Sequence, residues 1–340
     1  MSETGYRIGV VGAGMVGQRL VEVLEDRDFP MKELRIMATS ERRQTIAGRE
    51  RQIIEAAEDA FDGLDIALFA GTEGESGASQ LFGWKAVEKG VLVVDNGSDF
   101  RMDPRVPLVV PEVNAEAMRE HQGFISNPNC STIQMVAALA PLHRAATLRR
   151  VVVSTYQAVS GTGRAGVAAL EQQREAAAKG REFELGPYQH PIYDNCLPQV
   201  GSLRDRFPGY YSEEIKMVEE TRKIFDCPEL PVTATCVRVP VANSHSEAVN
   251  AEFEQALSPE EARELLEATD GVVVIDDPAG FAYPLAAEAS GKYPVYVGRI
   301  RKDPSRPNAI DLWCVSDNLL KGAALNTVQI AEKAIEMGMV

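Results

Sequence analysis

A strand, a glycine-rich turn and a helix follow one another at the start of the chain, and this order constrains the fold most. YRIGVV (6–11) is typical of a buried strand, and GAGMVG (12–17) follows it at once. The apolar spacing after the turn is helical, and LRIMAT (34–39) is a second strand. Glycines at such a turn let the backbone approach a pyrophosphate at the helix N-terminus. The segment predicts a βαβ dinucleotide site, and an ordinary strand–helix turn is the alternative.

Strands and helices continue to alternate through the first third of the chain. DIALFA (65–70) and VLVVDNGS (91–98) are further strands, with a helical stretch between them. The alternation predicts an α/β fold with an N-terminal, Rossmann-like, doubly wound parallel sheet. After residue 130 the pattern changes, and strands with short connections predict a C-terminal α+β domain with a mixed sheet. We expect a nucleotide domain over 1–129, completed by a C-terminal helix at 318–340, and a second domain over 130–317.

The same glycine spacing recurs in GTGRAG (161–166), which also follows a strand-like run. The helix after it leads into a long polar segment and no second strand is near. A second dinucleotide site is therefore disfavoured. We expect these glycines to bring the backbone close to a ligand that the first domain binds.

The end of the second predicted strand bears on the type of dinucleotide. An acidic residue at this point holds the ribose hydroxyls of NAD. Here the strand ends with Thr39 and Ser40, and Arg42 and Arg43 follow closely. Hydroxyls and arginines suit a 2′-phosphate, which favours NADP. Glu41 leaves NAD open, because its carboxylate could hold a ribose.

Charge and composition exclude several classes of function. The formal net charge of −15 disfavours nucleic acid as a partner, because phosphate backbones select basic surfaces. No apolar run approaches the roughly 18 residues of a membrane span. The N-terminus has neither the basic segment nor the cleavage site of a secretory signal, so we expect a cytoplasmic protein. The five cysteines are widely spaced without a CxxC pair, which predicts free thiols and no metal site.

Cys130, in SNPNCSTIQ (126–134), is the best candidate nucleophile. An apolar helical run follows it, so its thiol lies at a helix start, where free N–H groups favour a thiolate. A small buried cysteine is the alternative. Among four histidines, His245 is the best base, because it follows a strand among polar residues; a loop histidine bonded to its neighbours is the alternative. Thiolate, histidine and nicotinamide together suggest acyl or aldehyde chemistry with hydride transfer.

These residues lie in blocks that resemble the aspartate-semialdehyde dehydrogenase family from end to end. The blocks are SNPNCSTIQ, STYQAVSGTGRAG, EEIKM, VRVPV with HSEAV, LVVPEVN and SDNLLKGAA. The resemblance implies NADPH-dependent reductive dephosphorylation of β-aspartyl phosphate to aspartate β-semialdehyde, on the route to lysine, threonine and methionine. It also implies a homodimer or homotetramer in which the second domain is catalytic and forms the dimer.

The resemblance implies roles for the matching residues. Cys130 would form an acyl-thioester, His245 would be the acid/base, and Gln157 would orient the intermediate. The residues that would bind substrate are Arg238 for the α-carboxylate, Glu213 for the amino group, and Arg101, Asn129 and Lys216 for the phosphate. With Gly12, Gly17 and Arg42 from the arguments above, the cofactor would contact Ala13, Gly14, Met15, Val16, Thr39, Ser40, Ser160, Gly161 and Asn318. Without the resemblance, the alternative for each charged residue among them is a place in a solvated ion pair on the surface.

The chain departs from the family pattern at three places. Its first glycine turn is GAGMVG, where GxxGxxG is common. Glu73 and Glu75 stand near the expected cofactor, where small residues are usual, and Ser244 replaces the glycine that commonly precedes the histidine. Two alternatives follow: a different acyl-phosphate reductase, such as an N-acetyl-glutamyl-phosphate reductase, and a catalytically silent NADP-binding paralogue. Asn129 and Glu213 argue against the first, Cys130 and His245 against the second.

Overall fold

The structure, a computed structural model, describes residues 5–71 and 74–340. The chain divides into two compact units: the first comprises Met1–Pro128 and Ala323–Val340, and the second comprises Asn129–Gly322. The α-helices of the described residues are α1 (Met15–Asp26), α2 (Trp84–Glu88), α3 (Pro111–Asn114), α4 (Cys130–Ala146), α5 (Arg164–Ala178), α6 (Ser212–Ile224), α7 (Pro259–Glu267), α8 (Ala286–Ala289) and α9 (Leu325–Glu336).

The strands of the first unit are β1 (Tyr6–Val11), β2 (Met31–Ala38), β3 (Arg42–Ile46), β4 (Arg49–Glu55), β5 (Ile66–Phe69), β6 (Leu92–Asp95) and β7 (Phe124–Ser126). Those of the second are β8 (Leu148–Gln157), β9 (Val232–Arg238), β10 (His245–Phe253), β11 (Val272–Val274), β12 (Val295–Lys302) and β13 (Ala309–Ser316). Short 3-10 turns cover Glu58–Phe61, Ala115–Glu120 and Val159–Thr162, and single π turns cover Ser79–Gly83 and Leu320–Ala324.

In the described part of the first unit, the strands form one sheet in the order β3-β4-β2-β1-β5-β6-β7. The pairs are parallel apart from the β3–β4 hairpin. Strands β5 and β6 are buried at every position, as parallel strands covered on both faces are. Helix α9 packs against α1, β5 and β6. The predicted doubly wound parallel sheet is confirmed, with one antiparallel edge.

The β3–β4 hairpin of this sheet was not predicted. Strands β3 and β4 are mostly polar because they form an edge, so they lack the apolar signal of a central strand. Their turn, Ala47-Gly48, has two positive φ angles, 51° and 69°, as tight hairpins require. Strand β7 is only three residues long. Arg42 is thus the first residue of a hairpin, one residue after the Thr39-Ser40 bend.

The second unit has a six-stranded mixed sheet in the order β11-β12-β13-β10-β8-β9. Strands β8 and β9 are parallel, as are β11 and β12, and the other pairs are antiparallel. The predicted mixed sheet is confirmed. Helix α4 packs against β8, β10, β12 and β13, and nearly all of its side chains are buried. This arrangement presses the start of α4 against the residues at the ends of β8 and β9 and the beginning of β10.

The C-terminal helix begins with the π turn and continues as α9. Leu320, Ala324, Val328 and Ala331, predicted to share one face, are buried, and Ile335 is half-buried. None of the helices formed by the described residues combines the length and apolar character needed to span a bilayer.

Candidate active site

Cys130 is the first residue of α4, and Asn129 is the N-cap of that helix. The Asn129 side-chain oxygen accepts hydrogen bonds from the backbone N–H groups of Ser131 (3.0 Å) and Thr132 (3.3 Å). Cys130 is partly exposed and in no disulfide. Gly322 lies against it, since an added Cβ there would be 2.7 Å from the Cys130 Cβ. The thiol thus sits on a rigid helix start whose dipole stabilises negative charge.

The amide of Asn129 also joins this helix start to α6. Its Nδ2 donates to Glu213 Oε1 at 2.8 Å, and its backbone N–H donates to Glu220 Oε2 at 2.6 Å. Both carboxylates are buried. The turn before Cys130 is therefore held by α6 as well as by its own cap.

Gln157, the last residue of β8, ties the same turn to the sheet. Its Nε2 donates to Ser131 Oγ at 2.6 Å and to Glu213 Oε1 at 3.0 Å. Its Oε1 is buried and makes no hydrogen bond to the described residues. A buried acceptor without a donor indicates a place where a ligand N–H or O–H could be received.

Glu213 is the buried anion of this cluster. Burial alone raises the pKa of its carboxyl, but the charge of Lys216, hydrogen bonds from Asn129 and Gln157, and the charge of Arg238 outweigh burial and lower the pKa to about 2. Lys216 Nζ lies 3.6 Å from Glu213 Oε2. The cluster therefore keeps a fixed carboxylate between two cations, which suits a zwitterionic ligand.

Arg238 and His245 meet at the backbone of Ala158. Arg238 Nη1 donates to the Ala158 carbonyl oxygen at 2.7 Å, and the Ala158 N–H donates to His245 Nδ1 at 3.0 Å. Gln157 pairs with Arg238 in the β8–β9 register, and the β8–β10 register, with Ser246 opposite Tyr156, puts His245 beside Gln157. Three predicted side chains thus form one row across the sheet.

The bond from Ala158 defines which ring nitrogen of His245 carries the proton. Because Nδ1 accepts, the proton of the neutral ring is on Nε2, and Nε2 has no partner among the described residues. Burial, which is the largest effect, and the charge of Arg238 together lower the pKa of His245 to about 3, although the charge of Glu213 opposes them. His245 therefore presents a neutral N–H donor.

Gly161 lies directly against this row. An added Cβ would be 2.8 Å from Arg238 Nη1 and 3.3 Å from His245 Nε2. Next to it, Ser160 Oγ donates to Asn318 Oδ1 at 3.0 Å, and the Ser244 N–H donates to the same oxygen at 3.0 Å. Ser244 keeps the left-handed backbone that a glycine would adopt there, with φ of 74°. The second unit thus brings Ser160, Gly161 and Asn318 to the same edge as His245.

The other histidines and cysteines lie elsewhere in their units. His121 and His143 each accept a backbone N–H through Nδ1, and burial lowers the pKa of both. His190 is exposed. Burial raises the pKa of the thiols of Cys236 and Cys314, Cys196 is exposed, and Cys227 is half-buried.

In the first unit, the glycine turn between β1 and α1 fits a dinucleotide. Gly12 has φ of 107°, and an added Cβ would be 2.5 Å from the Ala70 carbonyl oxygen. An added Cβ on Gly17 would overlap the Gly12 carbonyl oxygen, whereas one on Gly14 would meet no atom of the described residues within 4 Å. Gly14 is the N-cap of α1, and no side chain in the described part of the chain caps that helix. Ala13, Met15 and Val16 complete this turn, and a helix start of this kind offers backbone N–H donors to a pyrophosphate.

The residues after β2 are open to a nucleotide. Thr39, Ser40, Glu41 and Arg42 are exposed. Within the described part of the chain, the side-chain hydrogen bonds of Arg42 are local, to the Ser40 carbonyl oxygen at 3.1 Å and to Gln44 Oε1 at 3.3 Å. Glu75 is exposed, and Glu73 lies outside the described residues.

Arg101 is buried in the loop after β6. Its Nε donates to the Gly97 carbonyl oxygen at 3.1 Å and its Nη2 to the Asn96 carbonyl oxygen at 2.9 Å. Asp95 accepts from Ser79 Oγ and the Gly97 N–H. Burial raises the pKa of Asp95 to about 6, although these hydrogen bonds and the Arg101 charge oppose it. The Arg101 loop is therefore ordered by its own contacts.

Three residues of the second-unit site escaped the sequence analysis. Glu220 accepts a hydrogen bond from the Asn129 backbone N–H, and the Ser131 hydroxyl accepts one from Gln157. Glu247 is buried two residues after His245. For Glu220 a signal existed, because it is seven residues after Glu213 on a helix and so shares its face. Ser131 and Glu247 act through contacts between distant segments, which spacing does not reveal.

Comparison with known proteins places this arrangement in a class. Residues 7–121 match the NAD binding domain of semialdehyde dehydrogenases, and residues 139–321 match their dimerisation domain. The fold and site therefore define a semialdehyde dehydrogenase, an oxidoreductase with an NAD(P)-binding domain.

Full-length relatives are more specific. The aspartate-semialdehyde dehydrogenase of Bacillus subtilis (strain 168) is 46% identical over 348 residues, covering 99% of both chains. That of Aquifex aeolicus (strain VF5) is 46% identical over 347 residues, covering 99% of this chain and all of the relative. The crystal structure of aspartate semialdehyde dehydrogenase II complexed with ASA from Vibrio cholerae superposes with a TM-score of 0.93 at 41% identity, covering 98% of this chain and 99% of that one. The chain belongs to the aspartate-semialdehyde dehydrogenase family.

Proposed function

We propose that the enzyme reduces β-aspartyl phosphate to aspartate β-semialdehyde and inorganic phosphate with NADPH, reversibly, through a thioester on Cys130. The observation that carries this proposal is the cluster at the start of α4. There, one thiol lies with one buried carboxylate, two cations and a neutral histidine N–H in a single unit. The proposed substrate has an acyl carbon, an ammonium, a carboxylate and a phosphate, and the cluster offers a partner for each.

Cys130 attacks the acyl carbon as a thiolate in the proposed first step. The new C–S bond forms, the bond from that carbon to the phosphate oxygen breaks, and phosphate leaves with the electron pair. The helix start of α4 stabilises the thiolate before attack.

His245 donates its Nε2–H to the acyl oxygen as negative charge develops there. A neutral imidazole serves this purpose, since a preorganised donor stabilises an oxyanion in a water-poor site. The Ala158 N–H holds the ring in the required tautomer. Gln157 orients the bound intermediate through its amide.

Arg238 binds the α-carboxylate and Glu213 the α-ammonium in this proposal. Arg238 donates from one guanidinium nitrogen to the Ala158 carbonyl oxygen, and this bond fixes the orientation of the planar guanidinium group. Glu213 remains ionised at any physiological pH, because its pKa lies at about 2. Lys216, Asn129 and Arg101 are the proposed phosphate ligands.

A nicotinamide cofactor, when bound, would supply the hydride that reduces the thioester. The residues proposed to hold its pyrophosphate are Gly12, Ala13, Gly14, Met15, Val16 and Gly17, because no described residue lies within 4 Å of an added Cβ on Gly14 and no described side chain caps α1. Thr39, Ser40 and Arg42 would hold a 2′-phosphate, which selects NADP over NAD. Ser160, Gly161 and Asn318 are proposed to contact the cofactor from the second unit.

The first unit is proposed to be the NADP-binding domain, and the second the catalytic and dimerisation domain. The second sheet exposes apolar side chains on the face opposite His245, where Tyr156 is 39% exposed and packs against Trp313. Leu285 and Phe281, 46% and 82% exposed, add to the apolar surface of this unit. Such a surface is typical of a homodimer contact, so Tyr156→Glu should convert a dimer to monomers in light scattering.

The proposed activity is tested in the reverse direction with aspartate β-semialdehyde, inorganic phosphate and either NADP⁺ or NAD⁺. NADPH formation should require phosphate and fall at least about a thousandfold in Cys130→Ala, because the nucleophile is absent. Cys196→Ala, an exposed cysteine, is the matched control and should keep full activity. A Cys130→Ala enzyme with near-normal turnover would refute the thioester.

The same assay separates the alternatives. Preference for an N-acylated semialdehyde would show that Glu213 does not meet an ammonium, and would favour an N-acetyl-glutamyl-phosphate reductase. Absence of turnover with either substrate, together with intact NADPH binding, would favour a silent paralogue.

A further inference from the structure

Glu247 is a buried carboxyl that the proposed mechanism does not use. It follows His245 by two residues on β10, so both side chains point to the same face of the sheet. That face is covered by α4. Glu247 is 0% exposed, and neither of its carboxyl oxygens makes a hydrogen bond to the described residues.

The surroundings of Glu247 form a second row across the sheet, one step from the row of Gln157 and His245. Thr155 and Cys314 are its partners on the neighbouring strands, and Cys236 lies beyond Thr155. No salt bridge to Glu247 occurs within residues 5–71 and 74–340. The row contains no cation that could balance a carboxylate.

Burial raises the pKa of the Glu247 carboxyl well above its usual range, and Gln134 and Ser131 of α4 oppose this only in part. A carboxyl this deeply buried, with no cation beside it among the described residues, favours its neutral form, which has one O–H donor and one carbonyl acceptor. Gln134 and Ser131 approach the carboxyl without reaching hydrogen-bond geometry. Small rotations of these side chains would complete the contacts.

The polar atoms of α4 match what a neutral acid offers. Gln134 Oε1 accepts from Ser316 Oγ at 2.7 Å, and Gln134 Nε2 is buried without a partner. That N–H is a donor for the Glu247 carbonyl oxygen. Ser131 Oγ accepts from Gln157 Nε2 and has a second lone pair for the Glu247 O–H.

We propose that Glu247, as a neutral carboxylic acid beneath the start of α4, is a positioning residue that holds the Ser131 hydroxyl and, through it, the Gln157 amide beside Cys130. The proposal rests on the function proposed above, because it assigns Gln157 to the bound intermediate. Glu247 touches neither the substrate nor the cofactor in this scheme. It acts by fixing the residues that do.

The test compares Glu247→Gln with Glu247→Met in the phosphate-dependent assay. Gln keeps one donor and one acceptor without charge, so kcat should stay within about threefold of the parent enzyme. Met has a similar volume but makes neither hydrogen bond, so kcat should fall on the order of tenfold to a hundredfold. KM for each substrate should change less than about twofold, because the binding charges remain.

Cys314→Ala is the matched control, since Cys314 is opposite Glu247 in the same buried row and its thiol donates to the Gln134 backbone carbonyl oxygen. It should lower the thermal midpoint and leave kcat per folded enzyme unchanged. A Glu247→Met enzyme with the parent kcat overturns the proposal. So does a Glu247→Gln enzyme as slow as the Met variant, because a neutral donor–acceptor would then not suffice.

Ser131→Ala provides an independent route if Glu247→Met does not fold. It removes the hydroxyl that links Glu247 to Gln157, so kcat should fall about tenfold with KM retained. Parent-like kcat in Ser131→Ala overturns the proposal. Failure of the proposed function itself would be visible separately, as absence of phosphate-dependent turnover in the parent enzyme.

Discussion

Two glycine-rich segments of identical spacing, GAGMVG at 12–17 and GTGRAG at 161–166, have different surroundings. In both, the last glycine packs against a carbonyl oxygen of the preceding turn: Gly17 against that of Gly12, and Gly166 against that of Val159. Both therefore make a tight strand-to-helix turn. The spacing specifies this turn, and the surrounding strands decide what the turn can bind.

The first segment joins parallel neighbours, β1 and β2, at the centre of a doubly wound sheet. An added Cβ on its middle glycine, Gly14, would lie within 4 Å of none of the described residues. The same is true of Gly163, the middle glycine of the second segment, so the segments differ at their first glycine, because Gly161 is pressed against Arg238 and His245. The first segment therefore fits the pyrophosphate site proposed above, and the second begins with a glycine packed behind two site residues.

Gly17→Ala should have the largest effect on this comparison. The new Cβ would overlap backbone, which cannot move aside without shifting β1 or α1, so we expect a loss of about 3 kcal/mol or more in the free energy of unfolding. Urea unfolding measures this loss of stability, and NADPH fluorescence titration measures its effect on cofactor binding.

Gly14→Ala is its control within the same turn. Because a Cβ there meets no atom of residues 5–71 and 74–340 within 4 Å, the fold should keep its stability to within about 1 kcal/mol. NADPH binding should nevertheless weaken, since the methyl group would occupy the space proposed for the pyrophosphate. Unchanged NADPH affinity in Gly14→Ala would contradict the proposed pyrophosphate site.

Gly161→Ala should leave the fold intact and impair catalysis. The methyl group would displace Arg238 Nη1 or the His245 ring, so kcat/KM for aspartate semialdehyde should fall on the order of a hundredfold. Stability should fall by less than about 2 kcal/mol, because the atoms it meets end flexible or rotatable side chains. Steady-state kinetics measure the loss of kcat/KM. Parent-like kcat/KM in Gly161→Ala would show that the site tolerates a shift of Arg238 or His245.

Arg42→Ala should have a smaller, cofactor-specific effect that only the first segment can show. Losing one charge-assisted contact to a 2′-phosphate should raise the Kd for NADPH about tenfold and leave that for NADH unchanged. Arg43→Ala is the matched control, because Arg43 is paired with Glu50 at 3.1 Å. If Arg42→Ala weakened the binding of NADPH and NADH equally, Arg42 would not contact the 2′-phosphate.

Local signals were sufficient for the regular parts of the fold. The βαβ unit was predictable because apolar period and glycine spacing agree over one continuous segment. The position of Cys130 at a helix start was predictable for the same reason, since Asn129 is a strong cap and an apolar helix follows. The β3–β4 hairpin was not, because its strands are polar and its Ala47-Gly48 turn is a weak signal.

The inner contacts of the site depend on tertiary pairing. Gln157, Arg238 and His245 come from three strands, and their shared row follows from register, which a single sequence does not reveal. The burial of Glu247 is even harder to predict, since a glutamate on a half-polar strand is usually solvated. Only the sheet order and the cover by α4 show that it is buried.

Ser244→Gly should have the smallest effect, and it tests the strand that delivers His245. Ser244 has φ of 74°, and its Oγ is buried without a partner. Relief of left-handed strain and of the unpaired hydroxyl should exceed the extra freedom of glycine in the unfolded chain, giving about 0.5–1 kcal/mol of added stability in urea unfolding. Ser244→Ala, which loses the hydroxyl but keeps the strain, is the control and should be less stable than Ser244→Gly. The backbone N–H of residue 244 still donates to Asn318 in both variants, so kcat should not change. A lower kcat in Ser244→Gly would mean that the hydroxyl itself helps to place His245.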